Sequence, residues 1–241
     1  MKRSALLLLI LLMFSVCART AFAAEIKFNA GTGGSGSGAG NTESDPILKM
    51  GVVPAPDKYG ITNAGEAFIG WLGNDGKTYM MGGLFDTTAY PTMLTAQWAK
   101  PETVDSWAAL KTRINSVADT GTTVVIQLPA ELTANTSISP TGCNVILIAA
   151  ENGTTIKNTN DRPIFSASYG GKLIFEGTAA APFILDGNSD PITNVGGFLF
   201  ASGGTIVLNR TTVKNVISEY NPPALGESRR LRGPALIDLH E

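Results

Sequence analysis

Seven charged residues in the second half of this 241-residue chain have side chains suited to chemistry: Asp161, Arg162, Lys172, Glu176, Asp186, Asp190 and Lys214. Carboxylates gathered on one face could hold Ca²⁺. An arginine or lysine beside them could then take the proton next to a sugar carboxylate. Two carboxylates at a fixed separation could instead hydrolyse a glycosidic bond. The spacing does not gather them. Asp186 sits in LDGN, where a turn-forming aspartate is sufficient explanation. Asp161 and Arg162 lie in the polar turn NTNDRP, and Lys172 and Glu176 flank a strand and read as its solvated face. No catalytic, cofactor-binding or metal-binding residue is therefore expected, and the ligand-binding residues stay unassigned.

Histidine and cysteine narrow the options further. The one histidine is His240, and the two cysteines are Cys17 and Cys143. A zinc site or a Ser-His-Asp triad is excluded on those numbers. Cys143 reads as a small buried apolar residue. The NTS, NGT and NRT triplets at Asn135, Asn152 and Asn209 read as turn residues, and Asn158, Asn188 and Asn215 as members of side-chain ladders.

The chain opens with the cationic MKR, an apolar run and the small-x-small AFA at Ala21–Ala23, which is the pattern of a secretory signal peptide over residues 1–23. Its removal takes three basic residues from 18, against 20 acidic ones, and leaves a net charge of about −5. Cys143 is then the only cysteine. Stability must come from packing or repetition rather than a disulfide. The basic residues are scattered apart from SRRLR (Ser228–Arg232), so nucleic acid is not an expected partner. No transmembrane span is expected after cleavage.

The elements that must position any site divide near Ala99–Thr103. In VDSWAALKTRINSVADTG, Val104, Trp107, Leu110, Ile114 and Val117 recur at three- and four-residue steps. That predicts an amphipathic helix over 104–121, capped by Asp105 or Ser106 and closed at Gly121. Short β-branched and apolar strands follow, from TTVVIQL through NVILIAA, TTIKN, PIFSAS, KLIFEG, FILDG, GFLFAS, TIVLN and TVKNV to PALIDL. A repeat runs through them. Aligning Pro163–Thr178 with Gly196–Thr211 places Phe165 on Phe198, Gly170–Gly171 on Gly203–Gly204, Leu173 on Ile206, Phe175 on Leu208 and Thr178 on Thr211. Repetition at a fixed period predicts stacked coils that bury a continuous core. The expected fold class is mainly β: a right-handed parallel β-helix over 122–241, with the helix as lid on its first coil. A β-sandwich is the rival. The long connections Asn188–Val195 and Val216–Gly233 are expected to be loops thrown out between coils.

Before the joint, EIKFN is strand-like, and GTGGSGSGAG is either an ordered turn or a flexible linker. NDGK (Asn74–Lys77) is a hairpin signal. Phe68, Trp71, Tyr79, Leu94 and Trp98 are large anchors for a small core over residues 24–98.

Two family resemblances attach to these stretches. EIKFNAGTGGSGSG, AFIGWLGNDGKTY and TMLTAQWA resemble the internalin-type B-repeat, also called the Listeria–Bacteroides repeat, which implies a small β-grasp-like module. The helix with NVILIAAENGTTI, FILDGN and GGTIVLNRTTVKNV resembles the N-terminal part of pectin-lyase-like β-helices in bacterial adhesin-like surface proteins. Together they imply a secreted or cell-surface bacterial protein, adhesin-like or structural. It would recognise an extracellular protein or carbohydrate non-covalently through its sheet faces and loops. The alternative is the N-terminal part of a polysaccharide lyase or glycoside hydrolase with catalytic coils downstream. GPALIDLHE reads as the start of another coil, so further coils or another chain are expected to cover that end.

Overall fold

The computed structural model describes residues 24–86, 89–159, 163–187, 199–214 and 238–240, with Phe200 and Asp238–His240 described by backbone alone. The expected signal peptide, Asp161, Arg162, Asp190 and both long loops lie outside these residues.

The first module is one five-stranded sheet. Strands β1 (Glu25–Asn29) and β2 (Ser37–Asn41) form an antiparallel hairpin. Helix α1 (Pro46–Lys49) and a 3₁₀ turn (Pro56–Tyr59) come next. Strands β3 (Ala67–Gly73), β4 (Thr78–Tyr79) and β5 (Met93–Ala99) complete the order β2-β1-β5-β3-β4, in which β1 and β5 run parallel. The Gly-rich stretch is therefore an ordered hairpin. Glycine is required in β2 because Tyr59 and Leu48 lie directly over it. A Cβ on Gly38 would sit 2.6 Å from the Tyr59 Cβ, and one on Gly40 2.5 Å from a Leu48 methyl. NDGK makes the expected turn, pairing Trp71 with Tyr79. Trp71, Phe68 and Leu94 are buried as expected, whereas Tyr79 and Trp98 are half-buried. The Trp71 indole N–H donates to the Pro54 carbonyl at 2.9 Å, so its one polar atom is satisfied inside the core.

The joint is structured. Strand β6 (Glu102–Thr103) pairs with the first strand of the second region, and Arg113 donates to both oxygens of Glu102 at 2.6 and 2.8 Å. The helix α2 (Trp107–Asn115) is shorter than 104–121. Ser106 caps it, accepting from the Ala109 N–H, and Trp107, Leu110, Ile114 and Val117 are buried on one face.

After α2 come β7 (Thr123–Gln127), β8 (Glu131–Ala134), β9 (Asn144–Ile148), β10 (Thr154–Asn158), β11 (Phe165–Ser168), β12 (Lys172–Glu176), β13 (Phe183–Asp186), β14 (Leu199–Ser202), β15 (Thr205–Asn209), β16 (Thr211–Lys214) and β17 (Asp238–His240). They fall into three sheets: β17-β15-β12-β9-β7-β6, β16-β13-β10-β8 and β11-β14. Every strand pairing in the three is parallel. The chain visits the sheets in turn and returns to the first. Strand β8 went unread because it lies just past the break at Pro129 and its residues, ELTA, form no apolar or β-branched run.

The 33-residue repeat is reproduced where Lys172–Glu176 pairs with Thr205–Asn209. It does not hold throughout. Phe165 pairs with Leu199 rather than Phe198, and Phe183, not Thr178, pairs with Thr211. The reason is the corner length. Residues 169–171 join β11 to β12 but only 203–204 join β14 to β15, and 177–182 join β12 to β13 whereas Arg210 alone joins β15 to β16 and takes a φ of +50° to do so.

Two apolar cores result. Inward residues of the three sheets pack with the buried face of α2, and Trp107, Phe165, Phe175 and Phe183 meet edge-to-face in a chain of rings 5.2 to 5.3 Å apart. The second core joins the modules. Val125, Ile146, Ile174 and Val207 are one ladder row on the outer face of the six-stranded sheet, and they pack in one cluster with Trp71, Met81 and Phe85. Strands covered on both faces carry continuous apolar runs, which TVVIQ, NVILI and KLIFE show.

Candidate functional site

The residues weighed from sequence are spread over two faces. On the four-stranded sheet, burial alternates along β8, β10 and β13, so one face meets solvent. Its outward rows are Glu131, Thr155, Ile184, Thr212 and Thr133, Lys157, Asp186, Lys214. Parallel pairing brings Asp186 to 3.4 Å from Lys214, and Lys157 lies 2.9 Å from Glu131. These are partly exposed ion pairs, worth about 0–1 kcal/mol each. Asn158 sits beside Ala134 in its ladder, so no asparagine stack forms on that side.

Glu176 corrects the sequence reading. It is not on a solvated face. Gln127, Ile148, Glu176 and Asn209 form the outward row next to the covered apolar row. The first module stands over them, and a cleft of about 310 Å³ remains between the two. From the first module, Asp57, Ile61, Asn63, Glu66, Phe68 and Trp98 line it; from the sheet come Gln127, Ile148 and Glu176.

The electrostatics centre on Glu176. The residue as a whole is half-buried, yet its Oε2 is fully buried and has no hydrogen-bond partner among the described residues. Oε1 accepts from the Asn209 amide at 3.3 Å. Burial pushes the carboxyl up to about 8, the Asp57 charge pushes the same way, and the Asn209 bond opposes both. Arg210, at its left-handed corner, lies 3.6 Å from Asp57. Glu66 accepts from the Asn63 amide at 2.9 Å.

Burial therefore favours the carboxylic-acid form of Glu176, which has an O–H to donate beside the cleft. It can bind a hydroxyl or deliver a proton. Among the described residues no group of three or more His, Cys, Asp or Glu is placed to hold a metal ion. Cys143 is buried and free, and burial raises its thiol above the ordinary value, as suits a packed residue rather than a nucleophile.

Asp57, Gln127 and Asn209 were missed from sequence. A signal was present: strands with apolar residues on both faces imply a cover, and a charged residue at the end of such a strand meets the edge of that cover. Among the described residues no helix is long and apolar enough to cross a membrane. Comparison with family models, curated proteins and solved structures yields no match to this chain.

Proposed function

We propose that the chain is an exported, adhesin-like recognition protein whose second region is a right-handed parallel β-helix and whose first is a B-repeat-like, β-grasp-like module. The cyclic visiting of three parallel sheets and the lid-like packing of α2 support the β-helix. The order β2-β1-β5-β3-β4, with β1 and β5 parallel, supports the β-grasp comparison.

One observation carries the recognition role. The six-stranded sheet has its outer face covered by the first module, while the four-stranded sheet presents in-register rows of threonine and charge to solvent. A face of in-register, mostly polar rows is suited to non-covalent contact with an extracellular protein or glycan. The charges on it are held in place by neighbours one strand away.

The experiment has two arms. In a bacterial host the tagged chain should lose residues 1–23 and be cut by protease added to intact cells. Purified protein should adhere to surfaces coated with extracellular matrix protein or glycan, and Lys157→Glu with Lys214→Glu should weaken that adhesion. Retention in the cytoplasm, or adhesion indifferent to both substitutions, overturns the proposal. Ca²⁺-dependent release of unsaturated sugars from a uronate polymer would replace it with a lyase.

A further inference from the structure

The covered side of the molecule holds a second feature, independent of the open face. We propose that the cleft between the first module and the six-stranded sheet is a binding site for a neutral sugar ring, seated against Trp98 and hydrogen-bonded to Glu176.

Four observations converge on that ligand. The first is size: about 310 Å³ lies at the small end of the 300–1,000 Å³ typical of small-molecule sites, room for one or two rings. The second is the wall. Half-buried Trp98 and Ile148, backed by buried Phe68 and Ile61, offer an apolar surface of the kind that packs on the C–H face of a pyranose. The indole N–H of Trp98 is already given to the Ala30 carbonyl, so the ring acts by surface contact.

The third is an unanswered polar atom. Buried Oε2 of Glu176 has no partner among the described residues, and an unsatisfied buried polar atom costs about 1–3 kcal/mol. Glu176 lines the cleft, so a turn of its carboxyl brings Oε2 to a bound hydroxyl, which both donates and accepts. Gln127 and Asn63, also in the wall, offer amides for neighbouring hydroxyls.

The fourth is charge. Asp57 and Glu66 would repel a uronate or phosphate, and Arg210, the cation beside Asp57, already pairs with it. A cationic ligand fits no better. Burial favours the neutral form of the Glu176 carboxyl, Asp57 is already in an ion pair with Arg210, and Glu66 is held by a hydrogen bond from the Asn63 amide. What remains is a neutral polyhydroxyl ligand with one apolar face.

The test is titration of the full chain, followed by tryptophan fluorescence and calorimetry. The probes are glucose, galactose, mannose, xylose and N-acetylglucosamine with their disaccharides, and galacturonate and lysine amide serve as charged comparisons. At least one neutral sugar should bind saturably, and neither charged probe should. Glu176→Leu should lower that affinity about tenfold at pH 7, the loss expected for one buried hydrogen bond. Glu176→Gln keeps a donor and an acceptor, so it should still bind. Wild-type affinity should fall about tenfold between pH 7 and pH 9.5 as the O–H is lost, and that fall should be absent in Glu176→Gln. Should Glu176→Leu not fold, the pH comparison with Glu176→Gln decides alone. Binding of no neutral sugar, preference for a charged probe, or the same pH profile in wild type and Glu176→Gln overturns the inference. None of these failures touches the open face of the four-stranded sheet.

Discussion

Replacing Glu176 by glutamine should stabilise the protein at neutral and alkaline pH, and the size of the gain follows from one buried carboxyl. Its ordinary value of 4.5 is raised to about 8 by burial and by Asp57. Between those values the folded chain binds the proton more tightly than the unfolded chain does, so stability must fall as pH rises. The penalty is absent below about pH 4.5, accumulates across the window and is complete above about pH 8. With about 1.4 kcal/mol per pH unit, the loss is about 1 kcal/mol at pH 5, about 3 at pH 7 and about 5 at pH 9. These are upper figures, because an ionised side chain beside an open cleft can turn toward water. Glutamine has no proton to lose and keeps the shape and the acceptor for Asn209. The assay is urea denaturation of both proteins at several pH values from 5 to 9. Other titrations cancel in the difference, including Cys143, whose thiol is also raised. The glutamine variant should gain steadily with pH, by about 2–4 kcal/mol between pH 5 and pH 9. A difference independent of pH would mean that Glu176 is hydrated, and the account of the cleft would be wrong.

Other outcomes follow from the packing. Ile174→Ala should cost about 2–5 kcal/mol although its side chain points away from the inner core, whereas Ile184→Ala on the open face should cost under about 1, both read by chemical denaturation. Gly82→Ala should cost about 2–4 kcal/mol in the same assay, since Gly82 has a φ of +68° and a Cβ there would stand 2.6 Å from a Val207 methyl. Removing residues 24–98 should uncover the Val125, Ile146, Ile174 and Val207 row, giving dye binding and light scattering that Ile146→Thr with Ile174→Thr reduces. Asp45→Ala should cost about 1–2 kcal/mol in thermal unfolding, because Asp45 caps α1 and also holds Lys58 at 2.6 Å and Tyr59 at 2.8 Å.

How much of this was legible in the residues depends on the range over which each interaction acts. The turn NDGK, the cap at Ser106 and the GG corners are set by neighbours a few residues away, so their types declare them. The strand runs were legible for the same reason, and so was their stacking over Lys172–Glu176 and Thr205–Asn209, where the paired glycines directly before each strand keep the phase. Register failed at Phe165 and Phe183 because a ladder fixes which strands touch but leaves corner length free. One residue suffices after Asn209, whereas 177–182 are used after Glu176.

The site was hidden by a different cause. Its two walls come from segments far apart in the chain, Asp57–Trp98 and Gln127–Glu176, and no local pattern links them. The physical link is solvation. Val125, Ile146 and Ile174 stand on an outward row where a solvated face would carry threonine or lysine, as Thr133 and Lys157 do on the neighbouring sheet. An outward row of that composition requires a cover, and the first module, joined through β6, is close enough to supply it. Glu176 ends that covered stretch. A carboxyl there must either reach past the edge of the cover into water or give up part of its charge, and the burial of Oε2, which raises the carboxyl well above its ordinary value, favours the second outcome. The same docking that hides the apolar row thus favours a neutral acid and leaves the cleft beside it.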